Sequence, residues 1–505
     1  AYPHADGDFS GFYLQTAGSG GTPDLTPNAS DGIFVYTGGL AIAPAVGDKV
    51  TVTGKVTEFS SMTEITVSSL GNVTNAGPAT GADLIKPGTV LPGTDCALPG
   101  TGCLTGTALE AEREKHEGEV FQPTAPFTVS DSYDGTPWSQ AGSRGFQMAG
   151  EIGLAANDTE PLMAPTQVVS PGNAAGLAAR NAYNNAHMIT LDDGANVDYS
   201  GDTSPAFPWL TPTHTVRMGA AVTFPKPVVL DYRNGLWKLQ PQAKVTGDGE
   251  SLVSIEQDRP AAPDDVLGAT GDLKIATFNM LNYFNTTGEQ WVADDPVGGG
   301  VRKCSYYTDR NRNRISNDTC EETDSSTNPP TVLPGPRGAA NEENFLRQEA
   351  KELEAINTMD ADVVSLEEVE NSTKVGDVDR DDAIIRLVGQ LNAHWAAAHP
   401  SYAGDRWAYA PSPRTAAQPT LLEQDAIRTA FIYNPNKVEL VGPSRILLNS
   451  APFRNAREPL AQAFKPLGSG RANAFGVIVN HFKSKGDSSG TASGDNVDLG
   501  DGAGS

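Results

Sequence analysis

The sequence predicts a multidomain protein in which two β-rich, barrel-like domains precede an α/β sandwich of two sheets. The chain has 505 residues, and a usual domain length of about 150 residues suggests three domains. In the first half, short runs of alternating apolar residues lie between turn residues, which favours small barrels or sandwiches. After residue 270 a helix alternates with strands and paired strands follow, a pattern typical of an α/β sandwich.

Residues 1–93 make up the first predicted β domain. Its predicted strands are short and lie at Gly11–Gln15, Gly32–Thr37, Lys49–Val56 and Glu64–Leu70. Aromatic residues on such strands bind nucleic acid when cations lie among them. The aromatic residues of the first two strands are Phe12, Tyr13, Phe34 and Tyr36. Because Lys49 and Lys55 are the only lysines nearby, we expect these rings to lie mainly in the core. DNA binding by this domain stays open.

Residues 94–248 make up the second predicted β domain. A short helix is expected near Leu109–His116. The later strands are expected within Met188–Gly194, Thr215–Phe224 and Trp237–Val245. The carboxylates of Asp192 and Asp193 could hold Ca²⁺ as a structural ion. Since Asp-Gly is chiefly a turn dipeptide, a plain turn at Gly194 is the favoured interpretation.

Residues 249–270 form a predicted linker, and residues 271–505 form the predicted α/β domain. Within that domain, residues 285–340 are rich in Asn, Thr, Gly, Pro and Arg. A loop of this length is usually functional or disordered. Its densest group of cations is Arg310, Arg312 and Arg314. These arginines suit a phosphate-contacting flap and solvated loop charges equally well.

The four cysteines form two local pairs, Cys96 with Cys103 and Cys304 with Cys320. Both pairs lie in segments rich in turn residues and lack the histidines or the Cys-x-x-Cys spacing of a zinc site. Two loop-closing disulfides are therefore predicted. Disulfides persist in oxidising compartments, so we expect a secreted or cell-surface protein.

The formal net charge is −26. Such an excess of acidic residues argues against a general cationic coat for nucleic acid or anionic lipid. Only local basic groups could hold a phosphodiester. The sequence contains no run of 18 apolar residues, so no membrane span is predicted.

Three polar residues are predicted near the ends of three strands of the α/β domain. Asn279 follows the apolar strand that begins near Leu273, Glu368 is in phase with Val364 and Leu366, and His481 ends the strand that begins at Ala474. An amphipathic helix is predicted over Asn341–Met359, with Asn341 as its cap. Its expected inward-facing residues are Phe345, Leu346, Leu353 and Ile356.

Several sequence blocks in this region occur in one order. They are FNMLNYF, SLEEVEN, the Arg-Glu-Pro of residues 457–459, and VNHFKSKG. Together they resemble the endonuclease/exonuclease/phosphatase superfamily, most closely its secreted bacterial nucleases, over about residues 270–486. The blocks GFYLQ, SDGIFVYTG and GDKVTVTGKVTEF resemble the OB-like domain that precedes the catalytic domain there, and residues 94–248 resemble a second OB-like repeat.

The resemblance implies a site for phosphodiester cleavage. Glu368 would be the carboxylate ligand of Mg²⁺ or Mn²⁺, with Asn279 as an amide-oxygen ligand or phosphate contact. His481 would lie against the scissile phosphate. The substrate-binding residues would be Arg457, Asn480 and Lys483. The plain alternatives are a surface carboxylate for Glu368, a core histidine for His481 and solvated charge for the lysines.

The chain departs from the superfamily after His481. The expected Gly-Asp-x-Asn and Ser-Asp-His blocks, which carry further phosphate-binding and water-activating groups, are absent. We therefore expect an incomplete α/β sandwich that belongs to a longer protein and does not hydrolyse DNA by itself. The predicted function is a secreted, metal-dependent nuclease acting on DNA. The alternatives are a phosphatase or phospholipid-cleaving member of the superfamily, and a non-catalytic surface or matrix protein.

Overall fold

The computed structural model describes residues 9–482 with the exception of 22–27, 43, 60–61, 133–149, 196, 198, 200–205, 234, 260–270, 296–300, 310, 327, 377, 422 and 454–455. The chain divides into two compact units, with the division between Arg259 and Pro260. Residues 1–93 and 94–248 both fall in the first unit. The protein is β-rich and contains several separate sheets, which confirms the predicted class in this coarse form.

The first unit begins with six short strands. They are β1 (Gly11–Gln15), β2 (Gly32–Tyr36), β3 (Asp48–Val52), β4 (Lys55–Phe59), β5 (Met62–Thr66) and β6 (Val73–Pro78). Four of them form a sheet in the order β1-β2-β5-β4, and β3 pairs with β6. The strand predicted over Lys49–Val56 is in fact two strands in two sheets. The break falls beside Gly54, where a Cβ atom would lie only 2.5 Å from the carbonyl oxygen of Thr66.

The aromatic residues of β1 and β2 are divided between core and surface. Phe12 and Phe34 are buried, as expected, whereas Tyr36 is exposed. The hydroxyl of Tyr13 accepts a hydrogen bond from the buried guanidinium of Arg233 at 3.4 Å. Phe12, Tyr13 and Phe34 are thus packing residues, and DNA binding by this region stays a prediction.

In the rest of the first unit, the described residues form one large sheet and three α-helices. Its elements are α1 (Thr107–Glu114), β7 (Val120–Phe121), β8 (Phe127–Asp131), β9 (Ile152–Ala156), α2 (Pro165–Val168), α3 (Ala174–His187), β10 (Met188–Leu191), β11 (Ala221–Thr223), β12 (Val228–Arg233), β13 (Leu236–Pro241) and β14 (Ser254–Ile255). The eight strands lie in the order β14-β11-β8-β9-β10-β13-β12-β7. Strand β9 is buried along its whole length.

The predicted barrels are not formed by the described strands. Both larger sheets of the first unit are open, because the strands at their two ends pair with one neighbour only. Alternation of apolar and polar residues predicts strands with one buried face. It does not predict closure, which depends on hydrogen bonds between the first and last strands of a sheet.

The described residues of the second unit form three sheets and four α-helices. Its elements are β15 (Ile275–Tyr283), α4 (Gly288–Ala293), β16 (Arg302–Thr308), β17 (Arg314–Asp324), β18 (Thr331–Pro334), α5 (Glu342–Met359), β19 (Val363–Glu370), α6 (Ser372–Val375), α7 (Asp382–Ala398), β20 (Ala408–Tyr409), β21 (Ile427–Tyr433), β22 (Val438–Leu440), β23 (Arg445–Ile446), β24 (Leu460–Pro466) and β25 (Phe475–Val479). The main sheet has the order β15-β19-β21-β20, and β22, β23 and β25 all pair with β24. In the main sheet β15 and β19 are parallel, and the other pairs are antiparallel.

Two apolar cores lie on opposite faces of the main sheet. On one face, Val364 and Leu366 of β19 pack with residues of α5 and α7. On the other face, Val363 and Phe431 pack with Phe464 and Val479 of the second sheet. The arrangement is thus two packed sheets with helices on the outer side of one of them.

Helix α5 forms where the sequence predicts it. The side chain of Asn341 caps it by accepting a hydrogen bond from the N–H of Asn344 at 3.2 Å. Phe345, Leu353 and Ile356 are buried as expected. Leu346 is 49% exposed, so its predicted place in the core is wrong. One position separates Leu346 from the buried Phe345, and a helix turns about 100° over that step.

The segment predicted as a long loop, residues 285–340, contains a three-stranded antiparallel sheet and helix α4 instead. The predicted disulfides are confirmed in both regions, Cys96 with Cys103 and Cys304 with Cys320. Cys304 and Cys320 lie directly opposite each other on β16 and β17. The polar composition of this segment concealed its strands, because a small sheet stapled by a disulfide needs few apolar residues. Among the described helices, none has the length and apolar character that crossing a membrane requires.

Candidate functional site

A bulge in β19 decides where Glu368 points. Before the bulge, Val364 and Leu366 face the helix-side core, and after it Val369 faces that same core. The pairing with β21 shifts between Leu366 and Val369, and Glu368 itself has a φ of 60°. Strict alternation would have pointed Glu368 at the helices. The extra residue turns its carboxylate to the face shared with the second sheet, as bulges beside functional sites do.

Strand β15 carries a matching irregularity next to Asn279. Its pairing with β19 shifts between Asn279 and Tyr283, and Leu281 and Asn282 both have positive φ values, 46° and 60°. The side-chain oxygen of Asn279 accepts a hydrogen bond from the N–H of Leu281 at 2.8 Å. Asn279 therefore stabilises this turn, and it precedes the end of β15 instead of forming it.

The turn in β15 contacts the carboxylate of Glu368. The N–H of Asn282 donates to Glu368 Oε2 at 3.1 Å. The other carboxylate oxygen, Oε1, lies 3.4 Å from Nε2 of His481. The Glu368 and His481 side chains are 19% and 13% exposed. The structure thus brings together the amide, the carboxylate and the imidazole that the sequence placed on three separate strands.

The electrostatics of the site favour an ionised carboxylate. The hydrogen bond from His481 lowers the pKa of Glu368 below its usual value of 4.5, and the side chain of Asn279 and the N–H of Asn282 lower that pKa further. Partial burial acts in the opposite direction but is outweighed. The carboxylate of Glu368 is therefore negatively charged under neutral conditions.

Arg457 is linked to this site through its backbone. Its N–H lies 3.4 Å from the carbonyl oxygen of His481. Its guanidinium is engaged, because Nε donates to Oδ2 of Asp425 at 3.0 Å. Arg337 donates to the other oxygen of the same carboxylate at 3.1 Å. Arg457 is thus held in place by Asp425, and its contact with a substrate stays a prediction.

The structure shows fewer contacts for the other residues that were predicted to bind substrate or phosphate. Asn480 is half-buried and directly precedes His481. Lys483 lies outside the described residues, as does Arg310. Arg314 pairs with Glu289 at 3.1 Å and lies over the ring of Tyr306. Its partners make it a surface ion pair of β17, which does not distinguish a phosphate contact from ordinary loop charge.

The Asp192-Asp193-Gly194 segment is the turn that the sequence favours. The side chain of Asp192 accepts from the N–H of Gly194 at 2.9 Å. The buried ammonium of Lys238 contacts Asp192 Oδ2 at 3.0 Å and also pairs with Glu151. Lys238 already neutralises Asp192, so this carboxylate offers little to a calcium ion.

Glu368 and Asn279 supply oxygen atoms that could hold a metal ion. A carboxylate and an amide oxygen are hard oxygen donors, and Mg²⁺ needs few protein ligands because it retains several waters. Among the described residues, no three His, Cys, Asp or Glu side chains are grouped to hold a metal ion. Glu368 and Asn279 would be the residues that hold such a cation.

No family model matches the chain, and no curated protein matches it either. The geometry around Glu368 is therefore the main physical support for a function.

The structure adds positioning residues that the sequence did not reveal. Gln348 of α5 donates through Nε2 to the carbonyl oxygens of Met280 and Leu281, at 3.3 and 3.2 Å, and so supports the turn in β15. Thr277 donates to Oε1 of Glu367 at 3.3 Å, beside the site. Helical spacing indicated an exposed polar face for α5. Tertiary packing determines which residue of α5 contacts the turn in β15, so no local sequence pattern identifies that residue.

Proposed function

We propose that this chain carries the metal- and phosphate-binding part of a secreted, divalent-metal-dependent nuclease that hydrolyses phosphodiester bonds of extracellular nucleic acid, with DNA as the substrate. The observation that carries the proposal is the 3.4 Å contact between Glu368 and His481 beside Asn279. The sequence blocks around these three residues resemble the endonuclease/exonuclease/phosphatase superfamily. The two disulfides agree with an extracellular location.

The chemistry assigns a role to each of the three side chains. Phosphodiester cleavage develops negative charge on the phosphate oxygens, and a divalent cation supplies positive charge against it when bound. Hydrogen bonds keep Glu368 ionised, and its negative charge would attract such a cation. His481 turns Nε2 towards Glu368, so that hydrogen bond fixes the orientation of the ring. Asn279 fixes the turn whose N–H group at Asn282 orients the carboxylate.

The two bulges place residues of the site in unusual backbone conformations. Glu368 and Asn282 adopt left-handed backbone conformations that non-glycine residues avoid. Such conformations persist when the surrounding structure determines them, and they cluster at functional sites. Here the surrounding structure is the pairing of β19 with β15 and β21 on either side of Glu368.

The test is a substrate panel. Residues 1–505 and any longer product of the same gene are incubated with Mg²⁺, with Mn²⁺ and with a chelator. The substrates are supercoiled plasmid, single-stranded DNA, RNA, a phosphomonoester and sphingomyelin vesicles. The proposal predicts chelator-sensitive cleavage of DNA by the gene product. Cleavage confined to the phosphomonoester or to sphingomyelin would replace the nuclease with a related esterase.

A matched control pair distinguishes this site from a generic ion pair. His394 and Glu354 also lie 3.4 Å apart, on the surface of α5 and α7. His481→Gln should abolish cleavage, whereas His394→Gln should leave it unchanged. Equal effects of the two variants, or no cleavage of any substrate with either metal, would overturn the proposal and favour a non-catalytic surface or matrix protein.

A further inference from the structure

The Cys96–Cys103 disulfide lies against a buried histidine. Nε2 of His187 is 3.8 Å from the sulfur of Cys96, and the His187 residue is only 1% exposed. Both cysteines are partly exposed, and residues 97–99, 101 and 102 of the loop between them are exposed. One sulfur of this disulfide therefore faces a ring nitrogen, while the loop that the disulfide closes faces solvent.

The hydrogen-bond partners of His187 are carbonyl oxygens. Nδ1 lies 2.7 Å from the carbonyl oxygen of Ala156, and Nε2 lies 3.1 Å from that of Cys96. A carbonyl oxygen only accepts hydrogen bonds, so each of these contacts requires an N–H group on the ring. The ring nitrogen beside the sulfur of Cys96 is therefore a hydrogen-bond donor.

The surrounding structure holds this imidazole beside the disulfide. His187 is the last residue of α3, where the helix dipole favours positive charge. Its ring stacks on that of Tyr183, with 4.0 Å between the centroids and 19° between the planes. The buried guanidinium of Arg113 donates to the carbonyl oxygens of Ala186 and Met188, on either side of His187, at 2.8 and 3.2 Å. Stacking and these backbone contacts keep Nε2 next to Cys96.

The other disulfide lacks such a donor. The sulfur of Cys304 lies 3.7 Å from the carbonyl oxygen of Gly288, whose partial negative charge would disfavour a thiolate there. Cys320 is only 7% exposed. Among the described residues, no histidine nitrogen or cationic group lies within hydrogen-bond distance of either sulfur of this pair. The chain thus contains two disulfides whose sulfur atoms have different surroundings.

We propose that the Cys96–Cys103 disulfide is a site of thiol–disulfide exchange with low-molecular-weight thiols such as glutathione. The thiolate of the small molecule attacks the sulfur of Cys103, the S–S bond breaks, and Cys96 leaves as a thiolate that the N–H group of His187 stabilises. The new S–S bond joins Cys103 to the small molecule. A second small thiol then displaces Cys103, so two small thiols are oxidised to one disulfide while the protein disulfide is reduced to two thiols.

The experiment follows both disulfides in the same molecule. The folded 505-residue chain is incubated with reduced glutathione without denaturant and quenched with an alkylating reagent, and mass mapping then follows each cysteine pair over time. Cys96–Cys103 should open about tenfold faster or more than Cys304–Cys320, because its leaving thiolate is stabilised and its loop is exposed. The mixed disulfide with glutathione should map to Cys103.

His187→Phe tests the role of the imidazole, because phenylalanine keeps an aromatic ring against Tyr183 and removes both N–H groups. The opening of Cys96–Cys103 should then slow towards the rate of Cys304–Cys320. His116→Phe is the matched control in the same unit, since the ring of His116 pairs with Glu119 at 3.1 Å, and it should leave the rate unchanged. Circular dichroism checks that each variant is folded. The comparison of the two disulfides in wild type tests the proposal even if His187→Phe folds poorly.

Three results would overturn the inference. They are equal opening rates of the two disulfides in wild type, a Cys96–Cys103 rate that the folded His187→Phe variant leaves unchanged, and attachment of glutathione to Cys96 instead of Cys103. The assay does not measure hydrolysis, so its outcome is independent of the proposed nuclease activity.

Discussion

The imidazole of His481 lies 3.4 Å from the carboxylate of Glu368, although 113 residues separate them in sequence and strict alternation along β19 would point Glu368 at the helices. The contact exists because a bulge in β19 between Leu366 and Val369 turns the side chain of Glu368 to the other face of the sheet. It also makes Glu368 more acidic than an ordinary glutamate. Several measurable consequences arise from this contact and its supports.

Acid should weaken the contribution of Glu368 to stability. A carboxylate whose folded-state pKa is depressed stabilises the fold above its unfolded value of 4.5, and it loses that contribution as the pH falls through the lower folded value. The free energy of unfolding is measured by urea titration over this range for wild type and Glu368→Gln. Their difference should be constant above 4.5 and shrink below it. A difference that grows on acidification would contradict the depressed pKa.

Gln348 should act as a positioning residue. Its amide holds the carbonyl oxygens of Met280 and Leu281, so Gln348→Ala should loosen the turn that orients Glu368. We expect a fall of about tenfold or more in nuclease activity, as for other residues that orient ligands. Metal dependence should shift to higher Mg²⁺ concentration. The exposed neighbour Leu346→Ala is the control on the same helix, and equal activities of the two variants would remove the positioning role.

Glu352 should make the second unit less stable as the pH rises. Burial raises its pKa from 4.5 to about 8, with a smaller contribution from the charge of Glu349. The folded-state pKa of Glu352 exceeds its unfolded value. The contribution of Glu352 to stability is therefore greatest below pH 4.5 and declines as the pH approaches about 8. Glu352→Gln should therefore raise the melting temperature at neutral pH and flatten this decline. A variant that melts below wild type throughout would show that the ionised form is tolerated.

The disulfide across β16 and β17 should stabilise the second unit. Cys304 and Cys320 close a loop with a sequence separation of 16, against 7 for Cys96 and Cys103. Loop-closure entropy predicts losses of roughly 3 and 2 kcal/mol when each pair is replaced by serine. Denaturant unfolding of the two double variants measures these losses. A larger loss for the Cys96–Cys103 pair would show that contacts of the folded state, and not loop closure, determine the stabilisation.

The sequence predicts the helices and strands of the second unit better than the contacts between them. Helix α5 was predictable because its cap and its apolar spacing are local properties. The strands of Glu368 and His481 were predictable from their apolar runs. The orientation of Glu368 was not, because a bulge depends on pairing with two other strands. The burial of Arg380 and Arg428, which are 8% and 5% exposed, was likewise not predictable, because charged side chains are usually exposed.

The first half of the chain illustrates the same limit. Short alternating strands such as β1 and β2 were predictable within a residue. Closure into barrels was not, because it depends on hydrogen bonds between strands distant in sequence. The strands of residues 285–340 were missed because a sheet held by the Cys304–Cys320 disulfide needs little apolar surface.

The most direct measurement is the rate of Mg²⁺-dependent plasmid nicking by the gene product and its Glu368→Gln variant, with the surface variant Glu354→Gln as the control. We expect Glu368→Gln to reduce the rate by about 100-fold or more with little change in melting temperature, because it removes charge stabilisation and not core packing. Glu354→Gln should be unaffected. Normal nicking by Glu368→Gln would contradict the assignment of the site.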